Sequence, residues 1–207
     1  MLAKQLSNIL TELCLRSDVT TDTPLDMDQR FESLREYGRM PRGRENRGRA
    51  LTNEEIVAAL LGLVAAQPSW AGHVVAIIAK LKPVGGKADA FGGPTTLTDA
   101  LGYILADKAT RDGIVAVRLS VAEIGTNCNG LAVITYEHDG ARRQISFVRD
   151  DAVSLLQPGS ESQFDPELRN SPVSRELVFN RRFFERLVRE IDEARASIPA
   201  DRGWRGI

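Results

Sequence analysis

Arg35, Arg39, Arg42, Arg44, Arg47 and Arg49 crowd one stretch that holds only two acids, Glu36 and Glu45. The guanidinium fork suits phosphate, carboxylate and the guanine edge, because its N–H groups pair with two oxygens at once. The chain as a whole carries a net charge of −1, so this excess of positive charge is local. A nearly neutral chain that binds a polyanion does so through a patch rather than through a global field. Gly43 and Gly48 fall inside the stretch and permit close backbone approach. Each phosphate neutralised releases counterions, so a grip by a few arginines predicts steep salt dependence. The competing fates are pairing with the chain's own acids, such as Asp18, Asp22, Asp26 and Asp28, or docking on an acidic protein surface.

Other chemistry is sparse. Histidine occurs only as His73 and His138, and cysteine only as Cys14 and Cys128. A zinc site would have to draw all of them from separate segments, so no metal and no cofactor are expected. No serine sits in a Gly-x-Ser-x-Gly elbow, and the adjacent acids Asp150-Asp151 and Asp192-Glu193 point to different faces. No catalytic constellation is visible, and the chain does not read as an enzyme. An enzyme with arginines clamping an anionic substrate is the third alternative. Val84-Gly85-Gly86-Lys87 lacks the spacing of a phosphate-binding loop and reads as a flexible connector. Arg142 and Arg143 follow Asp139-Gly140 and suit either the solvated outer face of a sheet or the tip of a β wing that touches a groove or backbone. Trp204, between Arg202 and Arg205, either offers a stacking surface for a base or packs on the domain or belongs to a disordered tail.

The elements that position these residues follow from periodicity. Leu2, Leu6, Ile9, Leu10 and Leu13 make one helical stripe over residues 2–16. Residues 17–25 read as a linker, so residues 1–24 form a helical arm that packs either on a partner or on its own domain. Met27, Phe31 and Leu34 define a second helix over residues 25–37, ended by Gly38 in a left-handed conformation. Thr52 with Glu55 makes a capping box for a third, very apolar helix. Helices over residues 71–82 and from Thr96 or Thr98 onward follow, with residues 83–96 as loop between them. Residues 25–110 thus form a helical, nucleic-acid-binding part.

Near Gly113 the period falls to two. Val115, Val117, Leu119 and Val121 alternate with smaller or polar residues. Residues 131–136 and 143–149 read as two more strands joined at Asp139-Gly140, a strong hairpin signal. Residues 173–179 either add a strand or open the last helix, which buries Phe183, Phe184, Leu187, Val188 and Ile191. Residues 111–207 thus hold a three-stranded antiparallel meander and a C-terminal helix, either as a separate unit or as one with the preceding part. About five helices followed by strands and a helix means α+β. The longest apolar stretch, residues 56–66, is too short for a membrane span of ~20 residues. With no signal sequence and two unpatterned cysteines, the expected location is the cytoplasm.

Leu34, Arg35, Gly38, Pro41, Gly43, Arg47, Gly48, Leu51 and Thr52 precede an Ala/Leu-rich helix, and TLTDALGYILAD follows downstream. This pattern resembles a family of uncharacterised proteobacterial proteins found with phages and mobile elements. The resemblance covers a third to a half of the chain. It implies a phage or mobile-element context, where small DNA-associated regulators are common, and it transfers no catalytic residue. The reading that follows is a DNA-binding, transcription-regulator-like protein. It would act through Arg35, Arg39, Arg42, Arg44, Arg47 and Arg49, with Arg142 and Arg143, as a homodimer. The alternative is a protein-interaction module, an inhibitor or assembly factor, with its arginine loop on an acidic partner.

Overall fold

Three helices start with the same reciprocal cap. The Thr23, Thr52 and Thr96 side chains each accept from the backbone N–H three residues on, and Asp26, Glu55 and Asp99 return a carboxylate to the cap. Two orphan donors are satisfied at each start, which fixes where the chain turns into helix. A computed structural model describes residues 1–15, 23–42, 49–87, 89–120, 132–149 and 176–197. Within them lie α1 (Ala3–Leu15), α2 (Pro24–Glu36), α3 (Asn53–Gly62) and α4 (Ala71–Ile78). Then come β1 (Lys82–Val84), α5 (Leu97–Ala106), α6 (Lys108–Gly113) and β2 (Ile114–Ser120). β3 (Ala132–His138), β4 (Ala141–Val148), β5 (Glu176–Asn180) and α7 (Arg181–Ala196) complete them.

The α+β class holds, but the meander is larger than expected. Among the described residues the sheet has five antiparallel strands in the order β1-β4-β3-β2-β5. β1 comes from a stretch expected to start a loop: Lys82, Pro83 and Val84 pair with Val148, Phe147 and Ser146. Residues 176–180 take the strand alternative, with Val117 opposite Phe179 and Leu119 opposite Leu177. α6 is a short addition that the apolar pattern did not show. A bulge between Ile114 and Ala116 resets the phase of β2, so Ile114 turns inward in place of Val115.

One apolar core runs from Met1 to Ile191 and includes side chains of both the helices and the sheet. α1 belongs to it, so the N-terminal helix packs on its own domain. Leu6 and Leu10 are fully buried, and α1 packs on α2 and α7. α7 lies against β2 and β5, and α6 against β3. Two buried arginines close helix ends. Arg30 donates to Gly62 O (3.0 Å) and Ala65 O (2.9 Å) past the end of α3, and Arg111 donates to Ile104 O (3.0 Å) and Leu105 O (2.8 Å) at the end of α5. Helix C-termini present unpaired carbonyls and a negative dipole end, so a guanidinium satisfies both there. No helix among the described residues is long and apolar enough to cross a membrane.

Candidate nucleic-acid interface

The end of α2 sets the geometry of the arginine stretch. Gly38 adopts φ +68, its N–H donates to Arg35 O (3.1 Å), and the Arg39 N–H donates to Leu34 O (2.8 Å). These two bonds make a Schellman ending, in which glycine takes the left-handed position at no steric cost. The turn brings Arg42 back over the helix end, where its Nε donates to Arg35 O. Arg35, Arg39 and Arg42 therefore gather at one place. Arg35 also holds Glu32 at 2.7 Å in an exposed i, i+3 pair. Arg39 is half-buried and its side chain makes no hydrogen bond or ion pair among the described residues.

An aromatic rim adjoins the arginines. Tyr37 is 48% exposed and meets the exposed His73 ring edge-on, at 6.1 Å between centroids. α2 is held against the start of α4 by Ser33, which donates to Ser69 O (2.7 Å) and accepts from the Gly72 N–H (3.0 Å). A helix C-terminus favours cations, so the patch is stable without a ligand. Exposed ion pairs such as Arg35–Glu32 are worth only about 0–1 kcal/mol. Exchanging that carboxylate for a phosphate therefore costs little.

The remaining candidates do not join this patch. Arg49 pairs with Glu55 and donates to Ala50 O (3.2 Å) at the start of α3. α2 touches α3 near Gly62, at the other end of that helix, about 14 Å away by the helical rise. Arg44 and Arg47 lie outside the described residues, as do Gly43, Gly48, Cys128 and Trp204. Arg142 and Arg143 sit exposed at the base of the β3–β4 turn. Register puts Arg142 across from Glu137 and Arg143 across from Tyr136, so they occupy opposite faces of the sheet. The turn itself has Asp139 at φ +52 and Gly140 at φ +71, the two-residue hairpin that Asp-Gly signals. The hairpin and Arg49 stand at opposite ends of α7. Arg181 donates to Asp112 O beside the hairpin, whereas Arg195 donates to Asn53 near Arg49. The separation is about 20 Å along the helix.

Sequence reasoning missed one cluster. Lys87 Nζ lies 2.6 Å from His138 Nε2 and 3.3 Å from an Asp139 carboxylate oxygen, and Nε2 lies 3.0 Å from that same oxygen. Nε2 accepts from Lys87 when it carries no hydrogen and donates to Asp139 when it carries one. The hydrogen bond from Lys87, then the charges of His138 and Lys87, hold the Asp139 carboxyl below its usual range. The Gly85–Lys87 loop is thus no loose connector. Gly86 lies so close to β4 that a Cβ would stand 3.0 Å from that of Ile145. Only the run of glycines ahead of a lysine hinted at this, and nothing marked His138 as its partner.

Cys14 is buried and in no disulfide among the described residues, where no group of three or more metal-ligating side chains gathers either. No protein-family model matches the chain, and no curated protein or solved structure matches it.

Proposed function

We propose that this chain is a DNA-binding protein that grips the phosphate backbone with the C-terminal end of α2. The observation carrying the reading is the convergence of Arg35, Arg39 and Arg42 on one helix end beside the exposed Tyr37. Arginines supply phosphate contacts and the tyrosine ring supplies a stacking or sugar contact. The resemblance to phage and mobile-element proteins supports a regulatory role. Three phosphate contacts carry little sequence information, so the protein acts as a dimer on two half-sites.

The test is a fluorescence-anisotropy titration of a mixed-sequence duplex between about 50 and about 200 mM salt, where counterion release shows most clearly. Each lost phosphate contact removes about 0.9 from the slope of log K against log salt. Arg35→Ala/Arg39→Ala/Arg42→Ala should therefore flatten it by about 2.7 for each protomer bound. No binding at low salt, or an unchanged slope in the triple variant, rejects the proposal.

A further inference from the structure

The two edges of the sheet are built differently. β1, at one edge, has only three residues, among them Lys82 and Pro83. A short strand carrying lysine and proline is a blunted edge that resists pairing. β5, at the other edge, has five residues, Glu-Leu-Val-Phe-Asn, with no proline, no lysine and an unbroken register against β2. Among the described residues no strand pairs with its outer side. A cavity of about 300 Å³ runs along that side. Its walls include Leu177 and Phe179, which face the core, and Val178, which faces the opposite way and is 47% exposed. A cavity lined by four consecutive residues of β5 and by none of β2 follows the strand's outer edge rather than lying on either face.

The flanks carry charge. Arg182 and Arg186, one turn apart on α7, line the cavity with Phe183 between them, and Leu13 of α1 closes it. Their neighbours on α7 are engaged: Arg181 with Glu185 and Asp112, Arg189 with Glu190 and Glu193, and Arg195 with Asn53. Arg182 and Arg186 have no partner among the described residues, and Glu176 is the one carboxylate on β5. A second copy of the chain set edge to edge would bring these unneutralised guanidiniums together. An acidic segment would neutralise them.

We propose that the β5 edge is a docking site for an extended acidic peptide of a partner protein, which adds as a sixth strand. Its carboxylates face Arg182 and Arg186, and its apolar residues line up beside Val178. Strand addition takes affinity from the main chain and selectivity from alternate side chains. This site is separate from the α2 patch and does not depend on it.

The probes are labelled peptides of about seven residues, the length of a typical strand, alternating valine with glutamate or valine with lysine. They are titrated against the full chain by anisotropy. The glutamate peptide should bind, the lysine peptide should not, and Arg182→Gln/Arg186→Gln should weaken binding at least tenfold with an unchanged melting temperature. N-methylation of alternate residues should abolish binding in one of its two phases and spare the other, since only every second peptide N–H faces the strand. No binding of the glutamate peptide, equal binding of the lysine peptide, full affinity in the double variant, or equal effects of the two methylation phases overturns the proposal. So does a dimer, seen by light scattering, that Val178→Lys dissolves, because it assigns the edge to a second copy.

Discussion

Gly72→Ala puts a methyl group where α4 crosses the end of α2. A Cβ there would stand 2.4 Å from Ser33 O, 2.5 Å from Tyr37 Cδ2 and 2.9 Å from Ser33 C. Ordinary non-bonded contacts lie at about 3.5–4.0 Å, so the overlap is on the order of 1 Å and involves backbone that cannot swing aside. Relief means sliding α4 off α2. That strains the Gly72 N–H···Ser33 Oγ bond (3.0 Å) and the Ser33 Oγ–H···Ser69 O bond (2.7 Å). Each such bond contributes about 0.5–1.5 kcal/mol net. Overpacking adds about 1–3 kcal/mol. Against this, alanine in a helix gains at most about 1 kcal/mol over glycine. The net loss is about 3 kcal/mol, which for a chain of this size lowers the melting temperature by roughly 6–12 °C. Differential scanning calorimetry measures it, with Gly102→Ala as the matched control. Gly102 lies inside α5 with nothing within 4 Å of its would-be Cβ. That variant should gain up to about 1 kcal/mol. A Gly72→Ala protein that melts at or above the parent would refute the packing argument.

Arg30→Met keeps an apolar stem but leaves Gly62 O and Ala65 O without the guanidinium that caps them. Charge-assisted bonds are worth about 1.5–3 kcal/mol each, so the urea midpoint should fall by an amount equal to about 3 kcal/mol or more; an unchanged midpoint rules out the capping role. Asp26, Asp99, Asp107, Asp112 and Asp139 are all held below the ordinary carboxylate range. The cause is the Thr23 N–H and hydroxyl for Asp26, Thr95 and Thr96 for Asp99, Thr110 for Asp107, Lys108 for Asp112 and Lys87 for Asp139. A carboxyl whose folded pKa is depressed contributes stability above its unfolded value of about 3.9, and that contribution disappears as pH falls through the folded value. Denaturation midpoints should therefore be level above about pH 5 and drop steeply below about pH 4. Midpoints that stay flat to pH 3 count against the hydrogen-bonded caps.

Local signals were legible and distant ones were not. Thr52 with Glu55, Gly38 after the α2 stripe, and Asp139-Gly140 each specify a few backbone bonds within a handful of residues, and all three form as the side chains dictate. β1 escaped because a three-residue Lys-Pro-Val segment has no period of its own; it is a strand only because β4 lies beside it. The inward turn of Ile114 depends on a bulge that no alternation records. Arg30 did leave a trace. With Met27, Phe31 and Leu34 it falls on the apolar stripe of α2, where a cation must find a buried acceptor. Lys87 and His138 are 51 positions apart, and only the sheet register brings them together. The arginine stretch was visible as charge, but its division between the ends of α2 and α3 was not, because that follows from the way the helices cross.

The fold sorts arginines that composition counts as equal. Arg30 and Arg111 are buried and hold helix ends, so their charge is spent on carbonyls and cannot meet a ligand. Arg49, Arg181 and Arg189 each face a carboxylate, and a ligand must first displace it. Arg39, Arg182 and Arg186 have neither role among the described residues. A cation that no fold interaction requires is where an external anion gains most, because nothing has to be broken before it binds. Substitutions should therefore separate cleanly: removing Arg30 or Arg111 costs stability, whereas removing Arg39 or the Arg182/Arg186 pair leaves melting unchanged and costs only binding. The separation also tells the two proposed sites apart. Arg39→Ala should weaken DNA binding alone and Arg182→Gln/Arg186→Gln peptide binding alone, since one stands at the end of α2 and the other pair on α7 beside β5.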